Sequence, residues 1–141
     1  MRSVRAALCP PRTPAVPTEY AKSYERVPES AAAARHLVSE ALHVWHLPQL
    51  ADTAALITTE LVSNAIRHAK GEEMRVDVTR LTEQRVRVSV VDQDSTRPQM
   101  QEPDPGGEGG RGLFLVNAES SGWGVDVLPG GKRVWADLEA L

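Results

Sequence analysis

The run Glu60-Leu61-Val62-Ser63-Asn64-Ala65-Ile66-Arg67-His68-Ala69 sets a carboxylate and a carboxamide four residues apart. On a helix, positions i and i+4 share a face, so both side chains can address one ligand. A neutral carboxamide oxygen is a hard donor suited to Mg²⁺, which takes few protein ligands and completes its sphere with water and phosphate oxygens. Asn64 is therefore the candidate metal ligand. Glu60, one turn earlier, is placed to accept a proton from a hydroxyl or water attacking a terminal phosphate. Taken alone, the pair also fits two solvated polar groups on an amphipathic helix.

Two later segments bear on the same chemistry. Asp92 closes the apolar run Val90-Val91. A carboxylate there can accept a hydrogen bond from a ring amine at the floor of a pocket, or it can cap its own turn. Gly106-Gly107-Glu108-Gly109-Gly110-Arg111-Gly112-Leu113 is rich in glycine. Its backbone N–H groups can approach phosphates closely, and a helix starting near Leu113 would turn its positive end to the same anion. Arg111 could add a charge-assisted contact to a β- or γ-phosphate. The same glycines also fit a flexible linker; the three motifs in order carry more weight than any one. His68 has no second histidine at ligand spacing and reads as a structural or phosphate-neighbouring residue. His36, His43 and His46 read as helix-surface groups.

These residues need elements to hold them. Residues 1–17 carry Pro10, Pro11, Pro14 and Pro17 with little apolar content, the composition of a disordered leader outside the fold. A single domain is expected over 18–141. Alternation around Tyr20, Ser23, Tyr24 and Val27 suggests an edge strand. Pro28-Glu29-Ser30, with Ser30 a capping candidate, opens a helix that ends near His46-Leu47-Pro48. From Pro48, the stripe of Leu50, Ala54, Ile57, Leu61, Ala65 and Ile66 predicts a second helix to about His68, with Glu60 and Asn64 at its edge. Strands over 74–81 and 85–91 form one hairpin, and Trp123 to Val127 with Val134 to Leu138 form another. Trp123 and Trp135 read as core residues. Residues 94–112 form a long functional loop and 113–120 a short helix. The fold class is α/β: a two-layer sandwich in which a mainly antiparallel sheet packs one apolar face against helices.

Composition narrows the function. The formal net charge of -3 lacks the basic footprint of nucleic-acid binding. The single cysteine, Cys9, excludes an internal disulfide framework or cysteine metal cage and suits a reducing cytoplasm. No stretch approaches the roughly 18 apolar residues of a membrane span, so a soluble protein acting away from membranes is expected.

Glu60-x-x-x-Asn64 resembles the N box, Val91-Asp92 the start of the G1 box, and Gly110-Arg111-Gly112-Leu113 the G2 box of the GHKL superfamily, whose Bergerat nucleotide fold is a helix-covered mixed sheet. The resemblance runs from about Tyr20 to Leu138. The small anti-sigma-factor serine kinases are the most similar branch in size, and Pro28-Glu29-Ser30 and Gly131-Lys132-x-Val134-Trp135 are similar to them too. The resemblance implies an ATP·Mg²⁺-binding protein serine/threonine kinase with Glu60 as catalytic base, Asn64 on Mg²⁺ and Asp92 on adenine. Gly109, Gly110, Arg111, Gly112 and Leu113 would lie at the phosphates, with Arg67 and His68 nearby. It implies protein partners: a small anti-sigma-factor antagonist as phosphoryl acceptor, a sigma factor, and a second copy in a homodimer. The alternative is a nucleotide-gated protein-binding module without phosphoryl transfer. One departure favours that alternative. The G1 pattern has glycines two and four residues after its aspartate, where this chain has Asp94 and Thr96; the change should stiffen the loop and bring Asp94 near the nucleotide.

Overall fold

The computed structural model describes residues 16–68, 71–93, 116 and 119–140. Strand β1 (Glu19–Glu25) leads into helix α1 (Ser30–Val44), a 3₁₀ turn (Pro48–Leu50) and helix α2 (Ala51–His68). Strands β2 (Glu73–Arg80), β3 (Arg85–Asp92), β4 (Gly122–Leu128) and β5 (Gly131–Glu139) complete the described elements. The strands form one sheet in the order β1-β2-β3-β5-β4. Every pairing among them is antiparallel. The two expected hairpins are present, and β1 lies at an edge. The α/β layering expected from the sequence is thus observed. The expected leader falls mostly outside the described residues, although the carbonyl of Pro17 accepts the Trp45 indole N–H at 2.8 Å. The expected loop over 94–112 lies outside them. So does most of the expected helix over 113–120, of which Val116 and Glu119 are helical.

Alternation decides which face of the sheet is covered. Val76, Val78, Val86, Val88, Val90, Val134, Ala136 and Leu138 point to one side and are buried. Against them pack Ala34, Val38, Ala41, Leu42 and Trp45 of α1 and its end, and Ala54, Ile57, Leu61, Val62 and Ala65 of α2. Spacings of three and four residues put each set on one helical stripe. Fully burying one such Val or Leu side chain contributes roughly 1.5–3 kcal/mol, so this interface dominates the stability of the sandwich. Because period-two alternation sends Val134 and Ala136 inward, it sends Trp135 outward. The reading of Trp135 as a core residue is therefore corrected: its ring lies on the open face beneath the Arg87 guanidinium, 4.0 Å from the centroid. Trp123 does pack against the core.

Helix ends follow local chemistry. Ser30 is the first residue of α1 rather than its cap, and its hydroxyl donates to the carbonyl of Glu25 at 2.7 Å, tying α1 to the end of β1. At the other end, His46 adopts a positive φ of 61°. The N–H of Leu47 reaches the carbonyl of Leu42 at 2.8 Å and that of His46 reaches His43 at 3.1 Å. This is a Schellman closure made without glycine, and it turns the chain toward α2. Among the described residues, no helix is long and apolar enough to cross a membrane.

Candidate functional site

Helix α2 lies across β3 and β5. Its fully buried stripe includes Ile57, Thr58, Leu61 and Val62, and Glu60 and Asn64 sit half-buried at the edge of that stripe. A side chain in this position keeps one side against the core and the other open to a ligand. Arg67, three residues on, is exposed. His68 is the last residue of α2, and its side chain lies outside what is described. Gly109, Gly110, Arg111, Gly112 and Leu113, together with Asp94, also lie outside the described residues.

Two arginines hold α2 in place. Arg26, just past β1, donates from Nη1 to the carbonyl of Ile66 at 2.7 Å and from Nε to the carbonyl of Gly71 at 2.8 Å. A cation on the last carbonyls of a helix satisfies orphan acceptors and opposes the negative end of the macrodipole. The C-terminal turn of α2, which begins at Asn64, is thereby clamped to β1. Arg35 of α1 donates to the Thr59 hydroxyl at 3.0 Å, next to Glu60, and that hydroxyl donates to the carbonyl of Ala55 at 2.9 Å.

Asp92 is the last residue of β3 and is buried. It shares the inward parity of Val86, Val88 and Val90, so its carboxylate lies on the helix-covered side of the sheet. Directly opposite on β5 stands Lys132. The Lys132 ammonium donates to Oδ1 of Asp92 at 3.1 Å, with both side chains 1% exposed. The approach of the strands depends on Gly131, since a Cβ at that position would collide with the backbone carbonyl of Asp92. A buried carboxylate at the end of an inner strand is a hydrogen-bond acceptor of fixed direction, the group needed to read a ring amine. The donor set thus fits an aminopurine at Asp92 and a hard cation at Asn64.

Sequence reasoning did not assign Lys132 or Arg26 a role. Lys132 shares its parity with Val134, Ala136 and Leu138, so a charged residue at an inward position was the available signal. Arg26 carried none, because its partners lie 40 and 45 residues away. Among the described residues, no group of three or more His, Cys, Asp or Glu could hold a metal ion; a cation here would rest on Asn64 together with phosphate and water.

Comparison with curated proteins returns no match. A family model described as a histidine kinase-like ATPase domain matches residues 24–136, from the end of β1 to the middle of β5. The matched span contains α2 with Glu60 and Asn64, and both members of the Asp92 and Lys132 pair. The chain therefore belongs to the histidine kinase-like ATPase domain family, an ATP-binding fold.

Proposed function

We propose that this ATP-binding domain is a protein serine/threonine kinase of the anti-sigma-factor type, which phosphorylates a small antagonist protein in the cytoplasm and regulates transcription through partner binding. The observation that carries the reading is the half-buried pair of Glu60 and Asn64 on the helix that covers the strand ending in Asp92. Bound ATP·Mg²⁺ would supply the transferable phosphoryl group and neutralise the charge that develops on it. Asp92 would accept the adenine amine and Asn64 would offer its carboxamide oxygen to the cation. Glu60 would accept the proton of the acceptor hydroxyl as its oxygen bonds to the γ-phosphorus and the bond to the ADP oxygen breaks. Most of the rate enhancement in such a site comes from positioning, which supports a role for Arg26 in holding the last turn of α2.

Replacing Glu60 with Gln should leave ATP binding by calorimetry within about twofold of wild type and lower phosphoryl transfer to the antagonist by about 10²-fold or more. Full transfer activity in that variant overturns the kinase reading. A second reading, a nucleotide-gated binding module that grips a sigma factor or its antagonist without transfer, is favoured by Asp94 and Thr96 in place of the two G1 glycines. It predicts partner capture that depends on ATP and is untouched by Glu60→Gln. Assembly as a homodimer fits either reading by resemblance.

A further inference from the structure

We propose that Lys132 is a positioning residue for nucleotide recognition: by holding Oδ1 of Asp92 it fixes that carboxylate as an acceptor, and so sets a preference for 6-aminopurine over 6-oxopurine nucleotides. The inference rests on the ATP-binding reading above and concerns how the same site chooses its base. Lys132 and Asp92 are cross-strand partners at the end of the β3 and β5 ladder, and their side chains are 1% exposed. The remaining inward positions of both strands are apolar. Burying an ammonium and a carboxylate is expensive, and an apolar pair of similar volume commonly gives equal or greater stability. Packing alone therefore does not account for the two charges at this point of the core.

An ammonium carries donors and no acceptor, so the salt bridge at Oδ1 pairs with the ionised form of Asp92, in which both carboxylate oxygens can only accept. Adenine presents an amino donor at its 6-position, whereas guanine and hypoxanthine present a carbonyl acceptor there. An oxygen locked as an acceptor attracts the first and repels the second. A carboxyl free to turn or to carry a proton could serve both. The need for Gly131 fits this role, because any side chain there would push the start of β5, and with it Lys132, away from Asp92.

Calorimetry of the wild-type chain with Mg²⁺ and ATP, purine riboside triphosphate or ITP tests the proposal, since these three differ at the 6-position, ITP also carrying a proton on N1. ATP should bind tightest, the unsubstituted purine about tenfold more weakly, and ITP more weakly again. In Lys132→Gln, which keeps an N–H donor but removes the fixed ammonium, the gap between ATP and ITP should shrink by about tenfold. A merely structural lysine would weaken all three nucleotides alike and leave the gap intact, which overturns the proposal. Tighter ATP binding by Lys132→Gln also overturns it, because Lys132 would then compete with the base. If that variant fails to fold by circular dichroism, the wild-type order decides: ITP binding as well as the unsubstituted purine rejects a fixed acceptor. Failure of the wild type to bind any of the three overturns the ATP reading itself, whereas ATP binding without the expected order overturns only the role of Lys132.

Discussion

The β3 and β5 ladder carries two buried carboxylates on opposite faces of one sheet, and they are held in different ways. On the open face, Asp137 receives Arg87 at 2.6 and 3.0 Å and Arg85 at 3.1 and 3.3 Å, engaging both of its oxygens. The two arginines are 35% exposed, and Arg87 lies over Trp135. Hydrogen bonding to Asp137 pushes the Arg87 guanidinium further up, against the opposing effect of its own burial. On the covered face, Asp92 meets the point charge of Lys132 at Oδ1, with both groups 1% exposed. Two guanidinium forks clasp a carboxylate and make a strut between strands, while an ammonium orients one oxygen. The outer cluster ties two strands together, and the inner pair is the one our proposal assigns to the nucleotide site.

The comparison breaks most visibly when one inner partner is removed. Lys132→Met should destabilise the fold by about 3–5 kcal/mol in urea unfolding, because the Asp92 charge stays buried. The double change Asp92→Leu with Lys132→Met should restore most of that stability while abolishing the preference for ATP over ITP. A double variant that keeps the base preference would remove the inner pair from recognition. On the outer face, Asp137→Asn should cost less, about 2 kcal/mol, since the arginines can turn to water. That cost should change little in 1 M salt, because the contacts are about as short as the Debye length of about 3 Å and Asp137 is buried, and nucleotide affinity should not change. Trp135→Leu should cost the least, about 0.5–1 kcal/mol of the contact with Arg87, again with unchanged ATP binding. Altered base preference in either outer variant would show that the two faces are coupled through the ladder.

Much of this architecture was legible along the chain. Each hairpin is local, so Val76 and Val78, Val86 to Val90, and Val134 to Leu138 announce their strands by alternation within a few residues. Helix α2 is visible in its stripe, and Glu60 and Asn64 are neighbours by helical geometry alone. Trp135 was misread because a large aromatic ring on a strand suggests a core, when the parity of Val134 and Ala136 had already turned it outward. Ser30 was misread as a cap because its true acceptor, the carbonyl of Glu25, depends on how β1 meets α1.

The sequence by itself determined the five strands and two long helices and the carboxylate and carboxamide pair on one helix face, because each is written in residues adjacent in sequence or one turn apart, and it pointed to the family through the order of three such local motifs. Only the tertiary structure decided the partners that must be brought across the chain: Lys132 to Asp92 over 40 residues, and Arg26 to Ile66 over 40 residues. Local propensity is blind to such contacts. The first exists because five strands pair in one order and one register, which seats a buried lysine opposite a buried aspartate, and the second because the last turn of α2 lies beside the end of β1.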